Sequence, residues 1–290
     1  MDVSAAKRRI DAVPAPTLFV LSGISIYVGA AVAVWLFDAS SPAGVAWLRC
    51  LGAAVILLVW RRPGREAWRG RPLLLAGTFG VVTALMNVVY YEAIARLPLG
   101  TATAIEFVGP VLVAAIGSRT KRDFAALTLV VVGVLAIADV QWSGSPAGVA
   151  FALAAAAAWA GYIVLGKKVA VGGNGIDSLA VGFTVATVVL SPLALGTGGV
   201  WAEPDLLLLG IGVGLLSTVV PYGLDQVVLR RVGQARFAVL LALLPVTATL
   251  VGLVVLGQVP ALTEALGILA VVGGVLLRSR RSGETVGEPP

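Results

Sequence analysis

The sequence predicts an all-α integral membrane protein of ten transmembrane helices, built as two inverted five-helix repeats with both termini cytoplasmic. Three observations carry that expectation. Of 290 residues, 59% are hydrophobic and only 12% charged, with a mean hydropathy of +0.98, whereas soluble domains are about 25% charged. Ten apolar runs, each suited to roughly 30 Å of hydrocarbon, fall at 16–37, 42–60, 73–95, 99–118, 124–140, 147–166, 178–199, 206–229, 235–256 and 261–277. With the amino terminus inside, 19 of the 21 Lys and Arg residues lie on cytoplasmic segments, leaving Arg96 outside and Arg49 within a span; an error in helix number would scatter this asymmetry.

Taken in order, the 1–15 tail carries Lys7, Arg8 and Arg9. Span 1 lacks a small-residue cleavage pattern after it and is expected to be retained rather than removed as a signal peptide. Span 2 holds Arg49 in AGVAWLRCLGAAV, and RRPGREAWRGRP (61–72) returns five arginines to the cytoplasm. Span 3 ends in NVVYYEA, with Asn87, Tyr90, Tyr91 and Glu92, and span 4 reads GTATAIEFVGPVLVAAIG. RTKRD (119–123) and SGSP (143–146) bracket span 5 and close a first repeat over 16–140. The second repeat, 147–277, opens with span 6, where Trp159 and Tyr162 interrupt a small-residue helix before Lys167 and Lys168. Span 7 leads to the outer residues Glu203 and Asp205, and span 8 reads LLSTVVPYGLDQVVLRR. Span 9, QVPA (258–261) and span 10 complete the repeat, and 278–290 is expected to be a disordered cytoplasmic tail.

A shift of 135 residues superposes ARLPLGTATAIEFVGP (95–110) on RRVGQARFAVLLALLP (230–245), with an Arg-to-Pro spacing of 14 in both. Five spans per half is an odd number, so the second copy enters the membrane upside down, as in transporters whose substrate site lies where the halves meet.

With no His and one Cys, Cys50, the chain offers no internal disulfide and almost nothing for a metal or haem site. No cofactor is expected, and no nucleophile–base spacing suggests an enzyme. The informative residues are polar ones inside spans. A mid-span carboxylate costs roughly 2.5–3.5 kcal/mol on insertion scales, so Glu106 requires a reason. Thr103, Glu106, Gly109, Pro110, Val113 and Gly117 recur at helical spacing on one face. Pro110 has no N–H to give the Glu106 carbonyl, which is thereby freed. Arg49 and Glu106 each lie 7 residues in from the outer face, or roughly 10 Å. They can pair, or Arg49 can clamp a substrate carboxylate with its planar fork; both remain open. Glu92 and Arg96 read as a rim salt bridge or a gate, and Asp225 as a local ion pair with Arg230 and Arg231.

NVVYYEAIARLPLGTATAIEFVGPVLVAAIGSR (87–119), WAGYIVLGKK (159–168) and LSTVVPYGLDQVVLRR (216–231) resemble the drug/metabolite transporter superfamily, in its ten-helix EamA-type branch. The PLG-x-A-x-x-x-EF-x-GP core is most similar to the threonine/homoserine exporters. The resemblance implies an inner-membrane exporter of small polar metabolites, amino acids such as threonine or homoserine, working by alternating access. By position it implies site residues Arg49, Asn87, Tyr91, Glu106, Gly109, Pro110, Trp159, Tyr162, Pro221 and Tyr222, with Asp225 where a Glu is usual. The chain departs from the pattern at Tyr27 and Val34 in span 1, at Leu244 in place of a carboxylate, and at Gln258 in place of Glu. A second reading is efflux of lipophilic cations, with Glu106 among Tyr91, Trp159 and Tyr162. The expected partners are a small-molecule substrate and the lipid bilayer, not nucleic acid. Protons as coupling ion, and a monomer or a homodimer, are left open.

Overall fold

The computed structural model describes residues 13–116, 121–142, 145–170, 175–241 and 243–279, and these contain helices and no strand. The 1–12 and 280–290 parts of the expected tails, Gly117 and Arg119 lie outside the described residues.

Helix α1, Ala15–Leu36, begins with Pro16 in its first turn, where a missing N–H does no harm. Helix α2, Pro42–Arg61, is capped by the Ser41 hydroxyl, which accepts from the Gly44 N–H at 3.0 Å, and stops at Arg62 in a left-handed conformation (φ 48°). A 3-10 turn at Arg65–Trp68 leads into α3, Gly70–Ile94. Span 4 is broken into α4, Leu99–Glu106, and α5, Val108–Ile116. The break falls just where Pro110 removes the hydrogen bond to the Glu106 carbonyl. Then come α6, Lys121–Trp142, and α7, Pro146–Ala170.

Span 7 departs from its expected 178–199 course. Helix α8, Gly175–Val189, turns by 83° into a 3-10 segment, Ser191–Trp201. Pro192 opens that segment, and Gly198 takes a positive φ of 55° that a β-carbon would oppose. Its Gly196 carbonyl accepts from the Ser41 N–H and the Ser40 hydroxyl, so the segment closes over the α1–α2 turn. Span 8 is α9, Pro204–Gly214, a π-helical turn, Leu215–Val219, and α10, Val220–Leu241. The connection expected near 230–234 is helical, in keeping with the helix-favouring Arg, Gln and Ala of RRVGQAR. Helices α11, Leu243–Leu256, and α12, Leu262–Ser279, end the described chain.

Among the described residues five segments are long and apolar enough to cross a membrane: α1, α2, α3, Pro146–Leu165 and Pro204–Asp225. A sixth results if α8 and its bent continuation count as one, and Leu99–Val113, Phe124–Ala136, Leu243–Leu256 and Leu262–Leu277 are shorter apolar helices.

Packing crosses between the two halves of the chain. Helix α3 lies against α7 and α8, α10 against α1, α9 against α1 and α2, α11 against α1, and α6 against α12. Close approach depends on small residues. A β-carbon on Gly80 would overlap the Gly182 backbone, one on Gly52 would lie 2.7 Å from the Ile211 carbonyl oxygen, and one on Gly214 2.6 Å from that of Arg49. Away from these seams Trp35, Val59, Leu74 and Val254 are exposed, as lipid-facing positions must be apolar.

Gly80→Ala is therefore expected to push α3 off α8 and destabilise the protein by about 1–3 kcal/mol. Gly223→Ala, with nothing within 4 Å of the new β-carbon, is expected to be neutral or stabilising. Thermal unfolding of both variants in one detergent checks the contrast.

Candidate functional site

Where α1, α2, α3, α4, α7 and the π turn with α10 converge, they enclose a cavity of about 170 Å³. Its charged lining residues are Arg49, Glu106 and Asp225, and its aromatic walls include Tyr27, Tyr90, Trp159, Tyr162 and Tyr222. Charges in an apolar bundle face such interior spaces because hydrocarbon cannot solvate them.

Arg49 makes no ion pair with Glu106. Its Nε donates to Thr218 Oγ1 at 3.1 Å and its Nη2 to the Ser217 carbonyl at 2.8 Å. The reason is local: Pro221, four residues on, has no N–H to offer that carbonyl, and the π turn leaves it pointing out of the helix. The same turn ties to α1, with Ser25 donating to the Leu216 carbonyl at 2.7 Å and Ser217 to the Ile26 carbonyl at 3.0 Å. The guanidinium lies 5.7 Å from the centre of the Tyr91 ring, within cation–π range. Its third nitrogen, Nη1, makes no hydrogen bond among the described residues.

Glu106 ends α4, is 8% exposed and faces the cavity, where the Arg49 charge acts on it through space. One turn earlier Thr103 donates to the Leu99 carbonyl and shares a 2.8 Å hydrogen bond with the Tyr90 hydroxyl. Asn87 lines the cavity, and both its Nδ2 and the Tyr91 hydroxyl are buried without a hydrogen-bond partner. Buried polar groups in native proteins are nearly always satisfied, so Asn87 Nδ2, on the cavity wall, marks a place for a ligand or water.

The remaining candidates divide by position. Trp159 meets Phe107 edge-on at 4.9 Å, and Tyr162 stacks on Phe79 at 4.8 Å while its hydroxyl bonds that of Tyr222. Asp225 lies in the cavity wall and accepts from the Ser22 hydroxyl at 2.7 Å, while Arg231 donates to the Val13 carbonyl. Among the described residues Asp225 makes no ion pair, and the side chain of Arg230, one of the two partners expected for it, lies outside them. Tyr91 is fully buried just behind the wall, edge-on to Phe37 at 6.0 Å, and Tyr90 takes the lining position. Pro110 does not line the cavity; its effect is the break after Glu106. Glu92 and Arg96 form a salt bridge at the end of α3, outside the cavity.

Ser22, Ser25, Ser217, Thr218 and Tyr27 were not singled out by the sequence reading as site residues. Ser22 and Ser25 sit three apart in LSGIS, and Ser217 stands four before Pro221; both spacings were available signals. At the usual Glu position, Gln258 Oε1 accepts from the Leu99 N–H at 2.9 Å and so caps α4. Leu244, the other departure, lines the cavity. Chemically, unpaired donors at Arg49 and Asn87 share the cavity with two carboxylates, an arrangement that can bind a small molecule carrying both signs of charge.

The chain is similar to known membrane transporters. The model of the EamA-like transporter family matches residues 146–280. The chain is 32% identical over 252 residues to the threonine/homoserine exporter RhtA of Escherichia coli (strain K12), covering 86% of this chain and 85% of that protein. It is 32% identical over 262 residues to RhtA of Salmonella typhimurium (strain LT2), covering 89% and 88%. A solved crystal structure superposes with a TM-score of 0.61 at 19% identity, over 94% of this chain and 99% of that one; this likeness concerns the fold alone.

Arg49→Ala leaves the Ser217 carbonyl without its donor and is expected to destabilise the protein by about 1–3 kcal/mol. Arg49→Lys restores the charge without the fork and recovers part of the loss. Thermal denaturation without substrate measures both.

Proposed function

The chain belongs to the EamA-type branch of the drug/metabolite transporter superfamily, in the subgroup of the threonine/homoserine exporters; it is a multi-pass inner-membrane transporter, not an enzyme. On that premise we propose that it exports small hydroxylated amino acids, threonine and homoserine foremost, by alternating access around the central cavity. The observation that carries this reading is the pair of unpaired donors in the cavity, Arg49 Nη1 and Asn87 Nδ2, set against the Glu106 carboxylate. The donors take the substrate carboxylate, for which the guanidinium fork is suited. Glu106 takes the ammonium group. Trp159, Tyr162 and Tyr222 flank the side chain.

Size argues against the lipophilic-cation reading. Drug-sized ligands occupy pockets of roughly 300–1,000 Å³, and about 170 Å³ holds only a small amino acid or its equivalent in water. A fixed guanidinium in the wall also repels cations.

Ten spans in two inverted repeats, 16–140 and 147–277, are part of the same proposal. Exchanging spans 1–5 with 6–10 maps the packing of α3 on α7 and α8 onto that of span 8 on α1 and α2, and the packing of α4 on α7 onto that of α11 on α1. The glycine contacts follow the same exchange: Gly80 against Gly182 corresponds to Gly214 against Gly52, and Gly133 meets Gly267, 134 residues on. Such correspondence is what a pseudo-two-fold axis in the membrane plane produces.

Glu106→Gln removes a charge-assisted contact of about 1.5–3 kcal/mol, and so is expected to weaken threonine binding by roughly tenfold or more while the protein still folds. Stabilisation of purified protein across an amino-acid panel measures binding, and efflux from loaded vesicles measures transport. Wild-type affinity and efflux in this variant would sink the assignment.

A further inference from the structure

A second hollow, of about 440 Å³, lies along the seam between α3 and α8. It opens to the exterior of the bundle, where Leu74 is 69% exposed. Leu73, Leu74, Val81 and Val82 of α3 and Val185 of α8 form its walls. Its floor is the buried Gly77, where a β-carbon would lie 3.1 Å from Val185 Cγ1. Thr78 brings the one hydroxyl of the lining, and it already donates to the Leu74 carbonyl at 2.8 Å. A polar substrate finds nothing to bond here, so this groove and the central cavity select opposite chemistries. The lining runs along α3 from Leu73 to Val82, roughly 14 Å of helix. That is close to half of a hydrocarbon core of about 30 Å, the depth of one leaflet.

One end of the groove is strongly basic. The segment 61–72, which runs into the first turn of α3, carries Arg61, Arg62, Arg65, Arg69 and Arg71 against a single acid, Glu66. Arg61 is held by Asp177 of α8 at 3.0 Å. Arg65, Arg69 and Arg71 are exposed, and their side chains make no hydrogen bond or ion pair among the described residues. Arg71 stands two residues before Leu73, where the groove begins. Trp60, which is exposed, and Trp68 lie in the same stretch, as aromatic residues do at the level of lipid headgroups. Charge at headgroup level therefore adjoins an apolar channel at acyl-chain level.

We propose that this is a binding site for an anionic phospholipid, with one acyl chain in the groove along Leu73–Val82 and the headgroup phosphate held by Arg69 and Arg71. Guanidinium forks match phosphate oxygens, and basic residues at the end of a transmembrane helix attract anionic lipid. A second copy of the chain fits the groove less well, because a two-fold contact centred here brings the same arginines together. The lipid touches both halves of the chain, since α3 belongs to the first and α8 to the second, and Gly77 lies three residues from the Gly80–Gly182 contact. Bound there, it braces that seam from outside. The leaflet is the cytoplasmic one in the ten-span topology proposed above; binding itself rests neither on that topology nor on the substrate.

Native mass spectrometry of the purified full chain, released from micelles containing equal amounts of palmitoyl-oleoyl phosphatidylglycerol and phosphatidylcholine, tests the site. Wild type is expected to retain phosphatidylglycerol over phosphatidylcholine by roughly tenfold or more. Arg69→Gln combined with Arg71→Gln is expected to bring that ratio close to unity. Thr78→Trp, which fills the groove from its exposed side, is expected to lower retention of both lipids, and Arg96→Gln, beyond the other end of α3, to change neither. In detergent, added phosphatidylglycerol is expected to raise the unfolding temperature of wild type and not that of the double arginine variant. Equal retention of the two lipids by wild type, an unchanged preference in the arginine variant, or wild-type retention in Thr78→Trp overturns the proposal. So does a lipid-free dimer that Thr78→Trp breaks up, which assigns the groove to a second copy.

Discussion

An arginine inside an apolar bundle needs acceptors, and a helix interrupted by proline has a carbonyl to spare. The hydrogen bond from Arg49 to the Ser217 carbonyl joins these two deficits. Pro221 creates the vacancy, the π turn at Leu215–Val219 turns it outward, and Arg49 on α2 fills it. Neither group is tolerable alone in hydrocarbon. Together they fasten α2 to span 8 and set the guanidinium beside the Tyr91 ring.

The cavity around this bond exists because the surrounding seams are so tight. Gly80 on Gly182 and Gly52 on Ile211 bring backbones into contact, which holds the helices in place while larger side chains are kept for the centre. The repeats are alike in packing and unlike in charge. Glu106 comes from span 4 and Asp225 from span 8, positions that the exchange of halves does not interconvert, and Leu244 also lines the cavity. Related scaffolding thus carries unrelated polar groups in its two halves.

Much of this was legible in the sequence for a physical reason: polar residues in a membrane span cannot be accidental, so Arg49, Asn87, Glu106 and Asp225 stood out at once. Their partners did not. Depth alone allowed Arg49 either to pair with Glu106 or to stay free for a substrate, but the carbonyl freed by Pro221 takes part of the guanidinium instead. Asp225 was drawn to nearby arginines along the chain, whereas its partner, Ser22, is 203 residues away. Of the adjacent tyrosines 90 and 91, only the rotation of α3 decides which one lines the cavity. Span 7 read as an unbroken helix because its apolar run continues through Pro192 and Gly198, where the backbone turns by 83°.

What the sequence determined by itself is whatever depends on composition and order along the chain: an apolar helical protein, the basic residues that bias its orientation, the prolines that interrupt spans 4 and 8, and the motifs that carry the family. What only the tertiary structure decided is which donor reaches which acceptor. Hydrogen bonds such as Ser22 to Asp225 and Arg49 to Ser217 depend on helix rotation and spacing set by close glycine contacts. A shift of an ångström or two redirects them, and no local pattern in the chain encodes a position that precisely.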